Sequence, residues 1–388
     1  MVVEHDPDVI MEADHVIDVG PGAGADGGRI VAKGTPEAIA ATDTATCRAL
    51  SERAEGAISH ERTPAAWIEL TGAREHTLRV DRVALPLGVL AGVCGVSGSG
   101  KSALIMDTLA RHIAPRKHST SVAQEVVEPG RFDSITGAPE RCVEVTQARA
   151  GIASPLRFLG LDRAFQRIYV NSEDAVALGL AERVAERCPA CAGEGVIRID
   201  LDFLAADTSV CEACGGTGLP ADLDRLRLRG ATLGDLIMGT AAEALELWGD
   251  EGKVARTLRA LDDVELGYFR LQQPGRSLSG GEAQRLKLAR ELAGKVKPET
   301  PFLLDEPTAG LHLEDVGRLM AAPQRLVEGG ARVLLVEHHV DVLAACDYLI
   351  EMGPGAGPDG GRIIAAGTPA QVARRATPTA PFLAERLR

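Results

Sequence analysis

The sequence predicts an α/β fold with a phosphate-binding loop in its core and a smaller metal-binding subdomain inserted in the chain. Three observations support this prediction. An apolar strand leads into a glycine-rich loop and a helix, two later apolar strands end in acidic residues, and four cysteines form two close pairs between these segments. Apolar strands that alternate with helical segments are typical of parallel sheets.

The glycine-rich loop lies in "VLAGVCGVSGSGKSAL", which has the pattern G-x4-G-K-S between a strand and a helix. Glycines let backbone amides converge on phosphates, and the following helix start adds positive potential. We therefore expect ATP and Mg²⁺ as cofactors. Lys101 is predicted to reach the outer phosphates and Ser102 to hold magnesium. The other predicted nucleotide contacts of this loop are Gly95, Ser97, Gly98 and Gly100.

Two strand ends supply candidate catalytic groups. "PFLLDEPTAGLH" places Asp305 for the magnesium shell and Glu306 for the attacking water. "RVLLVEHH" ends in Glu337-His338, where a strand-end position favours a functional histidine.

A second anion site is predicted at "SLSGGEAQRLKLARELAG". Ser279 and Glu282 form a capping box, and Gly280 and Gly281 leave bare amides at a helix start. One nucleotide does not need two such helix starts in one domain. We therefore expect this one to face the nucleotide of a different module.

The paired cysteines are Cys188 and Cys191, then Cys211 and Cys214. This spacing favours a four-thiolate Zn²⁺ site. Disulfides and a dithiol redox pair are the alternatives. A strand is predicted over "VIRIDLDFL" between the pairs, and helices over "TAAEALELW" and "KVARTLRALDDVELGY".

The chain also repeats itself. Residues 3–38 align without a gap with residues 336–371, which places His5 on His338. Two copies so far apart suggest the tail of one large module followed by a whole second module.

Bulk properties favour a soluble cytoplasmic protein. The 388 residues are 45% hydrophobic and 3% aromatic, with a net charge of −13. The longest apolar run is broken by proline and glycine, so no membrane span is expected.

Together the loop, the "LSGGEAQRLKLA" signature, "LLDEPTAGLH", "VEHHVDVLAACDYLIEMGPGAG" and the cysteine pairs closely resemble the UvrA family, damage-recognition ATPases with two ATP-binding cassettes. The resemblance implies ATPase activity in nucleotide excision repair. It also implies binding to double-stranded DNA, a UvrB-like partner, a place in an excision nuclease complex and the SOS response, and no nuclease activity of its own.

Carried over by residue, the resemblance implies that Gln147 links the nucleotide to the insert and that His338 is a switch histidine. It extends the signature contacts to Gln284. It divides the chain into a first-cassette remnant (1–45), a linker (46–66), a cassette (67–147 and 233–388) and a zinc insert (148–232). The second cassette needed for catalysis is expected from a homodimer or a separately encoded first half.

Two segments depart from the family. "ARAGIASPLRFLG" follows Gln147, and "LGLAERVAER" replaces a basic, aromatic-containing loop. The stretch 148–232 holds ten Arg or Lys and twelve Asp or Glu, a net charge of −2. Arg198, Arg225, Arg227 and Arg229 are candidate DNA contacts. A drug self-resistance paralogue, a transporter ATPase and a truncated fragment are the alternatives.

Overall fold

A computed structural model of the chain describes residues 1–4, 7–22, 24, 27–51, 62–114, 117–120, 123–126, 128–199, 207–295 and 298–388. Its first elements are α1 (Pro7–Met11), β1 (Val16–Gly20), β2 (Arg29–Gly34), α2 (Pro36–Ala40), α3 (Ala45–Ser51), β3 (Ala66–Ala73), β4 (Val80–Leu87), β5 (Leu90–Gly95), a π-helix (Ala103–Ala110), α4 (Arg111–Ile113), β6 (Lys117–Thr120), β7 (Ala123–Val126), β8 (Ser134–Thr136) and β9 (Val143–Val145).

The middle of the chain is mainly helical. It contains α5 (Pro155–Phe158), α6 (Leu161–Val170), α7 (Glu173–Ala177), β10 (Val196–Ile199), β11 (Asp207–Val210), β12 (Arg227–Leu228), β13 (Ala231–Thr232), α8 (Leu233–Met238), α9 (Ala241–Trp248), α10 (Gly252–Asp262) and α11 (Gly280–Ala293). The last elements are β14 (Pro301–Asp305), α12 (Leu313–Glu328), β15 (Arg332–Val336), α13 (Val340–Ala344), β16 (Tyr348–Gly353), β17 (Arg362–Gly367), α14 (Pro369–Val372) and α15 (Ala380–Arg386).

The chain forms two compact units. The first contains residues 1–147 and 294–388, and the second contains residues 148–293. The second unit therefore holds the four paired cysteines and also α8 to α11. In the first unit, α3 occupies the start of the segment predicted as a linker.

A six-stranded sheet forms the centre of the first unit, in the order β17-β16-β5-β15-β14-β9. All neighbours are parallel except β17, which runs antiparallel to β16. The inner strands are mostly apolar, and Leu90, Leu304 and Leu335 are fully buried. Such continuous apolar runs are expected where helices and a second sheet cover both faces of a parallel sheet.

A three-stranded antiparallel sheet, β4-β3-β8, packs in the same hydrophobic core as the π-helix that follows the phosphate loop. Leu70 and Leu85 from this sheet and Leu104 and Leu109 from the π-helix are all fully buried. The helix after the glycine-rich loop shares this core with the three-stranded sheet and with the six-stranded sheet. This packing fixes where the amino terminus of the helix lies.

The internal repeat of the sequence is also a repeat of structure. The hairpins β1–β2 and β16–β17 have the same register and a bulge at the same place, after Asp18 in one and after Glu351 in the other. The likeness continues beyond the aligned sequence, because Asp18 accepts a hydrogen bond from the Thr46 hydroxyl (2.8 Å) and Glu351 accepts one from the Thr379 amide (2.8 Å). His5 lies outside the described residues.

The two hairpins differ in what covers them. In the second, Ile350 and Met352 are fully buried because β16 pairs with β5. At the matching positions of the first hairpin, Ile17 is 56% exposed and Val19 is 62% exposed. Among the described residues β1 pairs only with β2, so the first hairpin presents an apolar strand without the neighbour that the second one has.

Both helices predicted in the second unit are present, but one of them ends earlier than predicted. The helix predicted at "TAAEALELW" is confirmed as α9, whose capping box joins Thr240 and Glu243. The helix predicted over residues 253–268 ends at Asp262 in α10, because the chain turns back there: the Leu266 amide donates to the Leu261 carbonyl, and Glu265 has a φ of +58°. In "VIRIDLDFL", residues 196–199 form β10, and residues 200–204 lie outside the described part.

Candidate nucleotide site and metal centre

The predicted catalytic and cofactor residues of the first unit lie at one edge of its sheet. Four parallel strands, β5, β15, β14 and β9, are neighbours in that order. Their carboxyl ends lead into Gly95, Glu337, Asp305 and Gln147. Ligands of open parallel sheets bind outside the carboxyl ends of the strands. The register of the sheet therefore collects residues that lie up to about 240 positions apart in sequence.

The phosphate loop is a tight turn against β16. Gly95 has a φ of +125°, and a Cβ atom there would stand 2.0 Å from the Met352 carbonyl oxygen. No other residue fits this position without moving β16. The Lys101 ammonium lies in the loop and donates to the carbonyls of Gly95 (2.8 Å) and Val96 (3.1 Å). Gly98, Gly100 and Ser97 complete the turn, and their contacts with nucleotide stay predictions.

The two groups predicted to hold Mg²⁺ lie together at this edge. The Ser102 hydroxyl donates to Asp305 Oδ1 over 3.3 Å. Burial raises the pKa of Asp305, and the nearby Glu306 carboxylate raises it further. Burial also lowers the pKa of Lys101, against the attraction of these carboxylates. A bound cation would relieve the repulsion between the two carboxylates. A hydroxyl and a carboxylate are suited to Mg²⁺, which prefers oxygen ligands.

Glu306 and His338 stand next to each other at the edge. The distance from Glu306 Oε1 to His338 Nδ1 is 3.8 Å, and their side chains are 39% and 65% exposed. Glu306 has a φ of +51°, in the left-handed region, and its amide donates to the Val336 carbonyl (2.9 Å). A strained non-glycine residue held by a neighbouring strand is a common feature of functional sites.

Gln147 is exposed two residues after the end of β9.

Glu337 and Thr308 lie behind the Glu306–His338 pair, and the sequence predicts no role for either. Glu337 is fully buried at the end of β15, and the Thr308 side chain donates to it. The signal that could have indicated Glu337 is an acidic residue that directly follows the apolar run of residues 333–336, where a buried carboxylate needs hydrogen-bond donors.

The signature residues belong to the second unit. The Ser279 amide donates to Glu282 Oε2 (2.6 Å), and the Glu282 amide donates to Ser279 Oγ (3.2 Å), so the predicted capping box is confirmed. The Tyr268 hydroxyl donates to the other carboxylate oxygen of Glu282 (2.7 Å). Gly280 and Gly281 begin α11, and Gln284 is buried, 1% exposed. Nucleotide contact by these four residues stays a prediction.

The four paired cysteines converge on a single point of the second unit. All four are buried, and their sulfur atoms lie within 4.8 Å of one another. Cys188 and Cys211 are 3.9 Å apart, and Cys191 and Cys214 are 3.8 Å apart. Tetrahedral Zn–S bonds of about 2.3 Å place sulfurs about 3.8 Å apart, so the cluster has the dimensions of a zinc site. All four are free thiols.

The two cysteine pairs hold each other in place through backbone bonds. The Cys188 amide donates to the Gly218 carbonyl (2.8 Å), and the Cys211 amide donates to the Gly195 carbonyl (2.9 Å). A Cβ atom on Gly195 would stand 2.2 Å from the Gly216 carbonyl oxygen, which explains the glycine. The Gly195 amide also donates to Cys191 Sγ (3.2 Å). Amide donors lower the pKa of Cys188 to about 7, which favours the thiolate that metals bind.

The candidate DNA contacts of the second unit are partly engaged in local ion pairs. Arg229 pairs with Asp250 and lies 4.6 Å over the Trp248 ring. Arg227 lies 3.5 Å from Asp235. Arg225 is exposed, and β10 contains Arg198. Arginines held by carboxylates offer less charge to a phosphate backbone.

A parallel sheet with a phosphate loop, an acidic strand end and a capped signature helix defines an ATPase of the ATP-binding-cassette class. Residues 78–309, more than half of the chain, match the family described as "ABC transporter". The chain belongs to this family.

Within the family, the chain resembles proteins named UvrABC system protein A. It is 38% identical to the Lactiplantibacillus plantarum protein over 387 residues and 39% identical to the Listeria innocua protein over 389 residues, in each case 96% of this chain and 40% of the relative. The crystal structure of UvrA2 from Deinococcus radiodurans matches with a TM-score of 0.84 and 39% identity, over 100% of this chain and 48% of that one.

These comparisons confirm the resemblance to the UvrA family. The chain spans about 40% of the length of the curated relatives that it matches. Among the described residues, no helix is both long and apolar enough to cross a membrane.

The metal centre generates the first prediction. We expect the purified chain to contain close to one zinc, because the sulfur geometry fits a four-thiolate site. A Cys191→Ser, Cys214→Ser double variant should lose the metal, since hydroxyls are poor zinc ligands. Elemental analysis after gel filtration measures this. A matched control is Cys47→Ser, Cys142→Ser, which changes two cysteines outside the cluster and should keep the zinc. Equal zinc in both double variants would remove the assignment.

Proposed function

We propose that the chain is the ATP-binding and ATP-hydrolysing part of a UvrA-type protein that takes part in DNA damage recognition in nucleotide excision repair. The proposal rests on one observation: the chain combines the ATP-binding-cassette residues with a four-cysteine cluster. In addition, 96% of this chain matches UvrABC system protein A. We also propose that the protein acts in the cytoplasm with a UvrB-like partner and takes part in the SOS response. It is proposed to have no nuclease activity of its own.

The residues of the sheet edge have separate roles in this proposal. Lys101 and the loop amides hold the phosphates, and Ser102 and Asp305 would hold Mg²⁺, which neutralises charge on the transferring phosphoryl group. Glu306 orients the attacking water, and His338, 3.8 Å from it, holds that carboxylate in place. Most of the acceleration in phosphoryl transfer comes from such positioning and electrostatic stabilisation.

Turnover is proposed to require a second cassette. In this class of ATPase a nucleotide lies between the phosphate loop of one cassette and the Ser-Gly-Gly helix start of another. This chain has one loop and one such helix start, and a single cassette does not close its own site. The second cassette comes from another copy or from a first cassette of the UvrA type. The exposed apolar strand β1 supports a cassette partner, because its counterpart β16 is buried against the strand that leads into the phosphate loop.

A non-repair function is the second candidate. The insert has a net charge of −2, and two of its four candidate arginines pair with carboxylates. Phosphate backbones need cations. A paralogue that serves drug self-resistance would need no DNA surface.

The composite site predicts how turnover depends on concentration. We expect the ATPase rate per chain to rise with protein concentration or with an added partner cassette, whereas ATP binding should not. Glu306→Gln should keep the paired form assembled with ATP bound, because it removes the group that activates water and leaves the phosphate contacts intact. Rates across a dilution series, compared with the mass distribution by light scattering, measure this. Constant turnover per chain at concentrations where only monomer is present would contradict the composite site.

The repair assignment predicts duplex binding. We expect weak, non-specific binding to double-stranded DNA that falls steeply with salt, since phosphate contacts release counterions. Fluorescence anisotropy at low and moderate salt, with undamaged and damaged duplexes, is the measurement. The metal-free cysteine variant serves as the control, because it lacks the order that the metal gives to the insert. If the zinc-loaded protein binds neither duplex, the non-repair function is favoured.

A further inference from the structure

Glu337 has no role in the catalytic scheme, yet both of its carboxylate oxygens accept hydrogen bonds. Its side chain is fully buried. Oxygen Oε1 accepts from the Thr308 amide (3.1 Å) and from the Thr308 hydroxyl. Oxygen Oε2 accepts from the amides of His338 (2.7 Å) and His339 (3.1 Å). Four donors therefore converge on one carboxylate.

These donors belong to two different loops. Thr308 lies two residues after Glu306, in a turn in which the Ala309 amide donates to the Glu306 carbonyl (3.1 Å). His338 begins the loop after β15. The carboxylate therefore ties the loop that carries the water-orienting glutamate to the loop that carries the switch histidine, at the point where Glu306 and His338 stand 3.8 Å apart.

A charged group suits this position better than a neutral isostere. A buried carboxylate is costly unless donors replace its water shell, and hydrogen bonds to a charged acceptor are about twice as strong as neutral ones. Each oxygen of Glu337 faces two donors. A glutamine amide would accept at one oxygen only, and its NH₂ group would face either the Thr308 donors or the amides of His338 and His339. One of the two loops would then lose its anchor.

The first unit contains a close structural comparison. Glu351 on β16 is also fully buried, and it also accepts from a threonine hydroxyl (Thr377, 2.5 Å) and a backbone amide (Thr379, 2.8 Å). Its donors precede α15 and carry no predicted catalytic group. Both carboxylates stabilise a turn, but only Glu337 connects the two loops of the site.

We propose that Glu337 is a positioning residue for ATP hydrolysis, which sets the separation of Glu306 and His338 by anchoring Thr308 on one side and the His338-His339 backbone on the other. The inference rests on the proposed ATPase function. We expect the Glu337 carboxylate to affect the rate of turnover and not the affinity for nucleotide, because none of its four donors belongs to the phosphate loop.

The test compares Glu337→Gln with Glu351→Gln in the full chain, under the conditions that give wild-type ATPase activity. We expect Glu337→Gln to lower kcat by about 10- to 100-fold, since small displacements of reacting groups cost about that much, and to leave the ATP dissociation constant within about threefold. Glu351→Gln should lower the melting temperature to a similar extent while kcat stays within about twofold. A kcat for Glu337→Gln equal to that of Glu351→Gln would overturn the proposal.

A second test uses two variants of Thr308. Neither of them changes a buried charged group. Thr308→Ser keeps the hydroxyl and should keep kcat, whereas Thr308→Val replaces the hydroxyl by a methyl group of similar size and should lower it. In the double variant with Glu337→Gln, the two losses should not add, because both break the same anchor. Equal kcat for the serine and valine variants would contradict the anchor.

Amide hydrogen exchange separates this inference from the ATPase proposal. The amides of Thr308, His338 and His339 should be protected in the wild type and exchange faster in Glu337→Gln but not in Glu351→Gln. This result does not depend on turnover, so a wild type that stays inactive at every concentration and with an added partner cassette would refute the proposed function alone. Unchanged exchange in Glu337→Gln would refute the anchor alone.

Discussion

The parallel alignment of β5, β15, β14 and β9 is the constraint on which the site depends. Parallel strands end at a common edge, so each of these four delivers its following residues to the same place. The edge holds a hydrogen-bonded pair, Ser102 with Asp305, which is proposed to bind Mg²⁺, beside a carboxylate–histidine pair, Glu306 with His338. The interior of the sheet is mostly apolar, and charged groups crowd this edge. Burial raises the pKa of Asp305 and lowers that of Lys101. A bound cation would stabilise the Asp305 carboxylate, and a bound phosphate would stabilise the Lys101 ammonium.

Much of this could be predicted from the sequence because the motifs are local. The strand, glycine loop and helix around Lys101, the capping box at Ser279 and the paired cysteines each depend on residues within a few positions of one another. The geometry of the sulfur cluster follows once glycines let the two pairs exchange backbone bonds. The end of α10 was harder to predict because the positive φ of the turn falls on Glu265 and not on a glycine.

What the sequence could not give depends on contacts between distant segments. Glu337 and Thr308 meet because β14 and β15 are neighbours, and no local pattern indicates that four donors will surround one carboxylate. The repeat is a similar case. Its two copies have the same register and the same bulge, yet Ile350 is fully buried and Ile17 is 56% exposed, because in the described part of the chain only the second copy has a neighbouring strand of the phosphate-loop sheet.

We propose that residues from four strand ends form one site for Mg²⁺ and ATP. Calorimetric titration of ATP, with and without Mg²⁺, into monomeric wild type, Lys101→Ala and Asp305→Asn is the sharpest test. We expect one site per chain, binding at least about 10-fold weaker in Lys101→Ala, and an affinity in Asp305→Asn that no longer depends on Mg²⁺. Wild-type affinity and magnesium dependence in both variants would contradict it.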